Sequence, residues 1–177
     1  MKNFHQADVY ALTDNPFKLL DKEWMLITAK SGDKANTMTA SWGGFGILWN
    51  KPVAYIFIRP QRFTYEFVEN NEKLSLSFFS EDYRAALNFC GSRSGRDCNK
   101  IEEAGLSLIE LPSGSPGFRE AKIIMDCRKL FFTDLAVGTF IEKSIPLSVY
   151  PTNDFHRLYI AEIEACWLNN NYDILPE

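Results

Sequence analysis

Six short runs of apolar and β-branched residues recur along this chain of 177 residues, and no regular helical pattern alternates with them. Leu74, Leu76 and Phe78 alternate with Ser75 and Ser77, which is the period of a half-buried strand. Strands without βαβ units favour an antiparallel sheet, so we predict a β-barrel-dominated α+β fold with helices at its rim. The predicted strands are Trp24 to Ala29, Asn36 to Trp42, Ala54 to Arg59, Lys73 to Phe79, Lys122 to Phe132 and Arg157 to Trp167.

Three short helices are predicted between these strands. The first follows Pro60, and the third runs from Asp97 to Ala104. The second begins after Ser80, whose hydroxyl we expect to cap free backbone N–H groups, and ends at Gly91. The apolar stripes of the first two helices are Phe63, Phe67 and Val68, then Tyr83, Leu87 and Cys90.

Length and charge narrow the class of protein. A chain of 177 residues can bury a core of its own, and we predict one domain over residues 1–177. A formal net charge of -4 provides no positive field for nucleic acid. No apolar run is long enough to span a bilayer, and the N-terminus has no secretion signal, so we expect a cytoplasmic protein without a membrane partner.

Several common sites lack the spacing that they require. The four cysteines form no C-x-x-C pair and have no histidine nearby, so we expect no metal site and mostly core cysteines. A dinucleotide fingerprint beginning at Gly44 would need glycine where Trp49 stands. Arg93 occupies the position that a nucleophile elbow gives to serine, and His156 with Asp154 lacks a placed nucleophile.

The segment from Asn36 to Trp42 combines small, polar and aromatic residues before Gly43 and Gly44. On a strand, Thr37, Thr39 and Ser41 share one face, which can donate hydrogen bonds. Small residues let the backbone approach a planar ligand closely. The alternative is an ordinary half-buried strand that ends in a glycine turn.

Two arginine-containing clusters follow. The segment from Arg59 to Tyr65 places two guanidinium groups where a strand leads into a helix, which suits a phosphate. The segment from Ser92 to Asp97 offers further donors from a loop. The alternative for each cluster is a solvated surface.

The order of these three clusters resembles that of the flavin reductase-like FMN-binding family, including its flavoredoxin-type members. The resemblance is specific from about Asn36 to Gly105 and weaker through the C-terminal third, where the segment from His156 to Ile163 is similar to the family's closing strand. It implies a six-stranded antiparallel Greek-key split barrel. Lys51-Pro52 replaces a proline pair of many relatives, and Ala161 replaces a glycine, which we expect to narrow the space near His156.

The resemblance also implies a set of contacts with FMN. Thr39, Ala40, Ser41 and Trp42 are expected at the isoalloxazine and ribityl region, and Arg59, Arg62 and Thr64 at the phosphate. His156 is expected to face the open side of the flavin, where nicotinamide would stack, or else to be a capping or interface histidine. The remaining expected contacts are Asn36, Met38, Pro60, Tyr65, Ser77, Phe78, Phe79, Ser94, Gly95 and Arg96.

The family implies a homodimer in which reduced NAD(P)H transfers hydride to FMN, which then passes electrons to free flavin or to a small-molecule or protein acceptor. The flavin carries this chemistry, so the protein needs no nucleophile of its own. Two alternatives remain open at this point. One is a flavoredoxin-like electron carrier without nicotinamide-dependent activity, and the other is a flavin-free β-barrel binding module.

Overall fold

The computed structural model describes residues 1–172, and ten β-strands make up most of its regular structure. All six predicted strands are present within a few residues of the predicted bounds. Four further strands are short or rich in glycine. In chain order, the strands are β1 (Phe4–Ala7), β2 (Met25–Ser31), β3 (Lys34–Ala40), β4 (Gly43–Leu48), β5 (Lys51–Ile58), β6 (Lys73–Phe78), β7 (Leu108–Glu110), β8 (Pro116–Phe118), β9 (Ile123–Asp134) and β10 (Arg157–Asn169).

Eight of the strands form one antiparallel sheet, in which seven follow the order β3-β2-β6-β9-β10-β5-β4 and β1 pairs with β10 off this path. The long strand β10 pairs with β9 along one edge, while β5 and then β1 share its other edge. Register shifts at Ile160/Ala161 and Ile163/Ala165 mark bulges that bend β10. Within residues 1–172 no ladder joins β3 to β4, so the barrel is split there. The predicted antiparallel split-barrel class is confirmed, with eight strands in the sheet instead of six.

The helices are short and lie between strands. They are α1 (Pro16–Lys18), α2 (Phe63–Glu69), α3 (Arg84–Ser92), α4 (Lys100–Glu103) and α5 (Ser144–Val149). A π-helical turn at Leu19–Glu23 follows α1, and 3-10 turns lie at Val9–Ala11, Glu81–Tyr83 and Val137–Thr139. Among the described residues, no helix has the length and apolarity needed to cross a bilayer.

Strands β2 and β6 are buried on both faces. Leu74, Leu76 and Phe78 point into the barrel core, as their alternation predicts. The opposite face is covered by a second apolar cluster, in which Leu26 packs with Leu87 and Phe118. Helix α3 and the β7–β8 hairpin therefore lie against the outside of the barrel, and α3 is close to the end of β3.

The boundaries of α3 differ from the prediction. Ser80 occupies the N-cap position of the 3-10 turn that precedes α3, but its side chain makes no capping bond and its Oγ lies 3.3 Å from Asp82. Gly91 lies inside α3, which continues to Ser92. The end of the helix is fixed instead by Lys100, whose buried ammonium donates to the carbonyl oxygens of Cys90 and Arg93.

Strand β4 is not among the six predicted strands, and it begins where the alternative interpretation of the Asn36 to Trp42 segment placed a glycine turn. Gly44 is paired with Tyr55 of β5, and the Tyr55 ring would be in ordinary contact with a Cβ atom at either Gly44 or Gly46. An aromatic ring across the ladder covers glycines that have no side chain to pack. Strand formation here depends on a residue nine or more positions away, which local sequence patterns do not contain.

Candidate functional site

Two adjoining cavities open where β3 ends. One has a volume of about 240 Å³ and the other about 360 Å³. Both are lined by Thr39, Ala40, Ser41 and Arg62, so they form two arms of one groove. The first arm also contains Met38, Trp42, Phe57, Arg59 and His156, and the second contains Trp24, Leu87, Asn88, Gly91 and Ser92.

The groove exists because the chain leaves the sheet between its two edge strands. Strand β3 ends at Ala40 and β4 begins at Gly43, so Ser41 and Trp42 bridge the split. The backbone of Gly43 packs so closely on β5 that a Cβ atom would lie 2.7 Å from the Tyr55 carbonyl oxygen. This contact fixes Trp42 at the mouth of the first arm, where half of its surface is exposed.

The sequence predicts that the hydroxyl groups along β3 are free to donate hydrogen bonds to a ligand. In the structure, the two threonine hydroxyls of that face donate to the protein itself. Thr37 is fully buried and donates to the carbonyl oxygen of Ile27, and Thr39 donates to that of Leu87 in α3. These bonds hold β3 against β2 and α3. The groove is instead lined by residues from both faces of the strand, because the strand ends at this point.

Arg62 is the cationic group that both arms share. It occupies the N-cap position of α2 and donates from one terminal nitrogen to the carbonyl oxygen of Gly91 at 2.9 Å. In the described part of the chain no carboxylate pairs with it. Burial and the nearby charge of Arg59 lower the pKa of Arg62. A half-buried guanidinium without a counterion, which retains further N–H donors, is suited to an anion such as a phosphate.

Arg59 lines the first arm but already has a counterion. It pairs with Asp154 and donates to the carbonyl oxygen of Val149 at 3.1 Å. Burial acts to raise the pKa of Asp154, but hydrogen bonds from Thr152, Arg59 and Gln61 outweigh it and lower the pKa to about 2. The carboxylate is therefore ionised at neutral pH, and Arg59 attaches the segment before β10 to the groove.

His156 lines the first arm and is only 8% exposed. Its imidazole lies 5.2 Å from the Trp42 ring and 6.4 Å from the Phe57 ring, between centroids. Burial lowers the pKa of His156 to about 4, and the positive charge of Arg59 acts in the same direction, against the opposing effect of Asp154. The ring is therefore neutral at pH 7.

This burial predicts a pH dependence of stability. The pKa of His156 falls from 6.5 to about 4 on folding. Between about pH 4 and pH 6.5 the unfolded chain therefore binds more protons than the folded chain does. The free energy of unfolding should therefore decrease as the pH falls from about 6.5 to about 4. We expect His156→Phe to flatten this part of the profile in urea titrations. An unchanged slope in His156→Phe would contradict the burial of a neutral imidazole.

Comparison with known proteins gives the family. The sequence model of the flavin reductase like domain matches residues 19–175. The chain belongs to the flavin reductase-like family. Among solved structures, it resembles an FMN-binding domain of a flavin reductases-like enzyme from Shewanella baltica OS155, with a TM-score of 0.69, 20% identity, and coverage of 94% of this chain and 78% of that one.

Two flavoredoxins are similar as well. The protein from Methanosarcina acetivorans has a TM-score of 0.67 and 20% identity, covering 86% of this chain and 71% of that one. The protein from Desulfovibrio vulgaris (Miyazaki F) has a TM-score of 0.66 and 18% identity, covering 93% and 77%. A comparison with curated proteins gives no match.

Only part of the site expected from the flavin reductase-like family converges on the groove. The expected residues that do line the groove are Met38, Thr39, Ala40, Ser41, Trp42, Arg59, Arg62 and His156. Pro60 and Tyr65 line neither arm, and the Tyr65 ring packs beneath the guanidinium of Arg157. Three further expected residues are buried and do not border the groove. Phe78 lies in the barrel core, Phe79 lies in the second apolar cluster, and Ser77 is buried on β6, where that strand pairs with β2.

A second group of expected residues lies on the far side of the loop that follows α3. Asn36 donates to the buried Thr64 hydroxyl at 2.8 Å, so the interior uses that hydroxyl. Gly95 packs so tightly on Asn36 that any side chain would collide with the amide. The backbone N–H of Arg96 donates to the Ser94 hydroxyl, and the Arg96 guanidinium pairs with Glu66. Asn36, Gly95 and Arg96 line a separate surface groove.

The two departures from the family pattern lie outside the groove. Ala161 is fully buried in the barrel core opposite Ala54, so it does not narrow the space beside His156 as expected. Lys51 and Pro52 begin β5 at the hairpin with β4, and Lys51 pairs with Glu162 at 2.5 Å. Neither departure changes the lining of the two arms.

Some residues that line or support the groove gave no recognisable signal in the sequence. Trp24 lines the second arm with φ at 68° and ψ at 169°, a conformation that costs energy outside glycine. The Arg84 guanidinium lies 4.2 Å above its ring. Tyr150 holds His156 from behind the first arm. A local pattern could not identify these residues, because their places depend on how distant segments pack.

Proposed function

We propose that the chain binds FMN across the two arms of the groove and acts as an oxidoreductase, with reduced NAD(P)H as the electron donor and free flavin or another molecule as the acceptor. The observation that carries this proposal is Arg62, a half-buried cation at the junction of both arms without a carboxylate partner in the described residues. The proposed ligand therefore has an anionic group near Arg62 and a planar group near Trp42.

The residues present fit FMN in chemistry as well as in shape. Two joined cavities of this size suit a ligand with a ring system and a side chain. The small side chains of Ala40 and Ser41 allow close approach of the backbone, whose N–H and C=O groups can pair with a pyrimidine edge. When bound, FMN would supply the hydride and electron chemistry, and the chain would orient it and limit access of water.

Relatives support this proposal through what their names state. One similar structure is an FMN-binding domain, two are flavoredoxins, and another is nitrilotriacetate monooxygenase component B from Bacillus cereus. A flavin reductase and flavoredoxins both occur among the names of similar structures. The carrier is therefore the second candidate, and it differs only in whether nicotinamide reduces the bound flavin rapidly.

An anaerobic experiment distinguishes these two candidates. Protein loaded with FMN is mixed with NADH or with NADPH, and the visible flavin absorbance is followed in time. Rapid bleaching with either nucleotide is the result expected for a reductase. If dithionite bleaches the bound flavin but neither nucleotide does, the result would instead establish the carrier.

We propose in addition that the protein is a homodimer formed through the face around β4. Ile47 on this edge strand and Trp49 in the turn that follows it are more than half exposed. The Trp49 ring lies 6.4 Å from that of half-exposed Phe131. An apolar edge in a soluble protein favours association, and two copies can pair through the same face around a two-fold axis.

Light scattering tests the dimer. We expect the wild-type protein to be a dimer at micromolar concentration and Ile47→Lys to be a monomer, because a buried charge in an apolar interface is costly. Phe17→Lys, at a residue that is 81% exposed on α1, is the matched control and should remain dimeric. A monomeric wild-type protein, or a dimer that persists in Ile47→Lys, would contradict this interface.

A further inference from the structure

The two ring nitrogens of His156 have different surroundings. Nδ1 lies 2.8 Å from the hydroxyl oxygen of Tyr150. Nε2 has no hydrogen-bond partner in residues 1–172, and it is not among the polar atoms sealed from solvent there. Because His156 lines the first arm, Nε2 is the nitrogen available to a ligand in that arm.

The bond with Tyr150 selects one tautomer of the imidazole. Tyr150 is buried, and within the described residues Nδ1 is the one acceptor that its O–H group can reach. If Nδ1 carried the proton, the phenol proton would be left buried without an acceptor, which is costly. Donation from the phenol to Nδ1 satisfies both groups and leaves the imidazole proton on Nε2.

The position of Tyr150 does not depend on His156 alone. Its ring lies 4.9 Å from the Phe155 ring and 6.0 Å from the Phe140 ring, between centroids. The guanidinium of Arg59 lies over the same ring, 5.2 Å from its centroid, and also donates to the Val149 carbonyl oxygen. Burial raises the pKa of Tyr150, so the phenol keeps its proton at neutral pH.

We propose that Tyr150 is a positioning residue that fixes His156 as an Nε2–H donor facing the groove, and that this donor recognises an uncharged ligand with a carbonyl oxygen. An aldehyde, ketone or amide oxygen can accept this bond. An ammonium group cannot, because it offers only donors. Arg59 is paired with Asp154, and the proposed function assigns Arg62 to the phosphate of the flavin, so no cation of the first arm remains for a carboxylate ligand. That such a ligand would exchange electrons with bound FMN rests on the proposed function. The tautomer of His156 does not depend on it.

Nitrogen NMR on 15N-labelled protein measures the tautomer directly, with and without FMN. The chain has two histidines, so His5→Gln assigns the remaining ring signals to His156. We expect a protonated Nε2 and an unprotonated Nδ1 at pH 7 in the wild-type protein. In Tyr150→Phe, which keeps the ring packing, we expect a mixture of tautomers. A protonated Nδ1 in the wild-type protein would overturn the proposal.

Ligand recognition is tested on the FMN-loaded protein with acetophenone and ethylbenzene, which differ in one carbonyl oxygen. One neutral hydrogen bond corresponds to about threefold to tenfold in affinity. We expect the preference for acetophenone to fall by that factor in His156→Phe, which removes the donor. It should fall by less in Tyr150→Phe, in which part of the imidazole keeps its Nε2 proton, and should not change in Tyr10→Phe, a control at an exposed ring. An equal preference in the wild-type protein and in His156→Phe would refute the proposed ligand class. Failure to retain FMN would count against the proposed function alone, because the tautomer is measured without it.

Discussion

Arg62→Ala is expected to weaken FMN binding by about 30-fold to several thousand-fold. The guanidinium is half-buried and shared by both arms, and its recorded bond is to the Gly91 carbonyl oxygen. Truncating one partner of a desolvated, hydrogen-bonded charge pair costs about 2 to 5 kcal/mol, which corresponds to that range in affinity. Riboflavin lacks the phosphate, so its affinity should change much less. Fluorescence titration with both flavins measures the difference.

The control for this experiment is Arg119→Ala, which removes an exposed arginine that lines neither arm. It should leave both affinities unchanged. Equal losses for FMN and riboflavin in Arg62→Ala would show that the variant disturbs the groove as a whole, and no loss for either flavin would remove Arg62 from the site.

Gly43→Ala is expected to destabilise the protein by about 1 to 3 kcal/mol and to displace Trp42 from the groove. The new Cβ atom would lie 2.7 Å from a backbone oxygen, that of Tyr55, which cannot rotate away as a side chain can. Overpacking of this kind costs about that much. In a domain of this size, each kcal/mol lowers the melting temperature by about 2 to 4 °C. Thermal unfolding and Trp fluorescence give the two readouts.

The neighbouring glycine provides a matched comparison. A Cβ atom at Gly44 would meet only a ring carbon of Tyr55, at an ordinary 3.6 Å. Gly44→Ala should therefore have a melting temperature close to that of the wild-type protein. If the two variants were equally stable, the close approach of β4 and β5 at Gly43 would be wrong.

The sheet was largely predictable because its central strands carry their own signal. Leu74, Leu76 and Phe78 alternate with serines, and the structure places them in the barrel core. Strand β4 was not predictable, because its glycines become a strand only when Tyr55 covers them. The β7–β8 hairpin was not predictable either, because its strands are short and depend on contacts with the barrel.

The candidate site was also predictable only in part. Ala40, Ser41 and Arg62 were predicted as flavin contacts and do line the groove, since they lie within contiguous segments that resemble the family's motifs. Thr64 lies in the same motif as Arg62, yet its hydroxyl points inward to Asn36. A motif identifies the segment, but the orientation of each side chain is set by tertiary packing. Tyr150 illustrates the same limit, because its link to His156 is visible only in three dimensions.

Retention of FMN tests the central claim most directly. Purified protein is incubated with FMN, desalted, and examined by visible absorbance together with a parallel sample of Arg62→Ala. We predict flavin absorbance close to one FMN per chain in the wild-type protein and much less in the variant. A colourless wild-type protein after desalting would contradict the proposed function and would favour a flavin-free binding module.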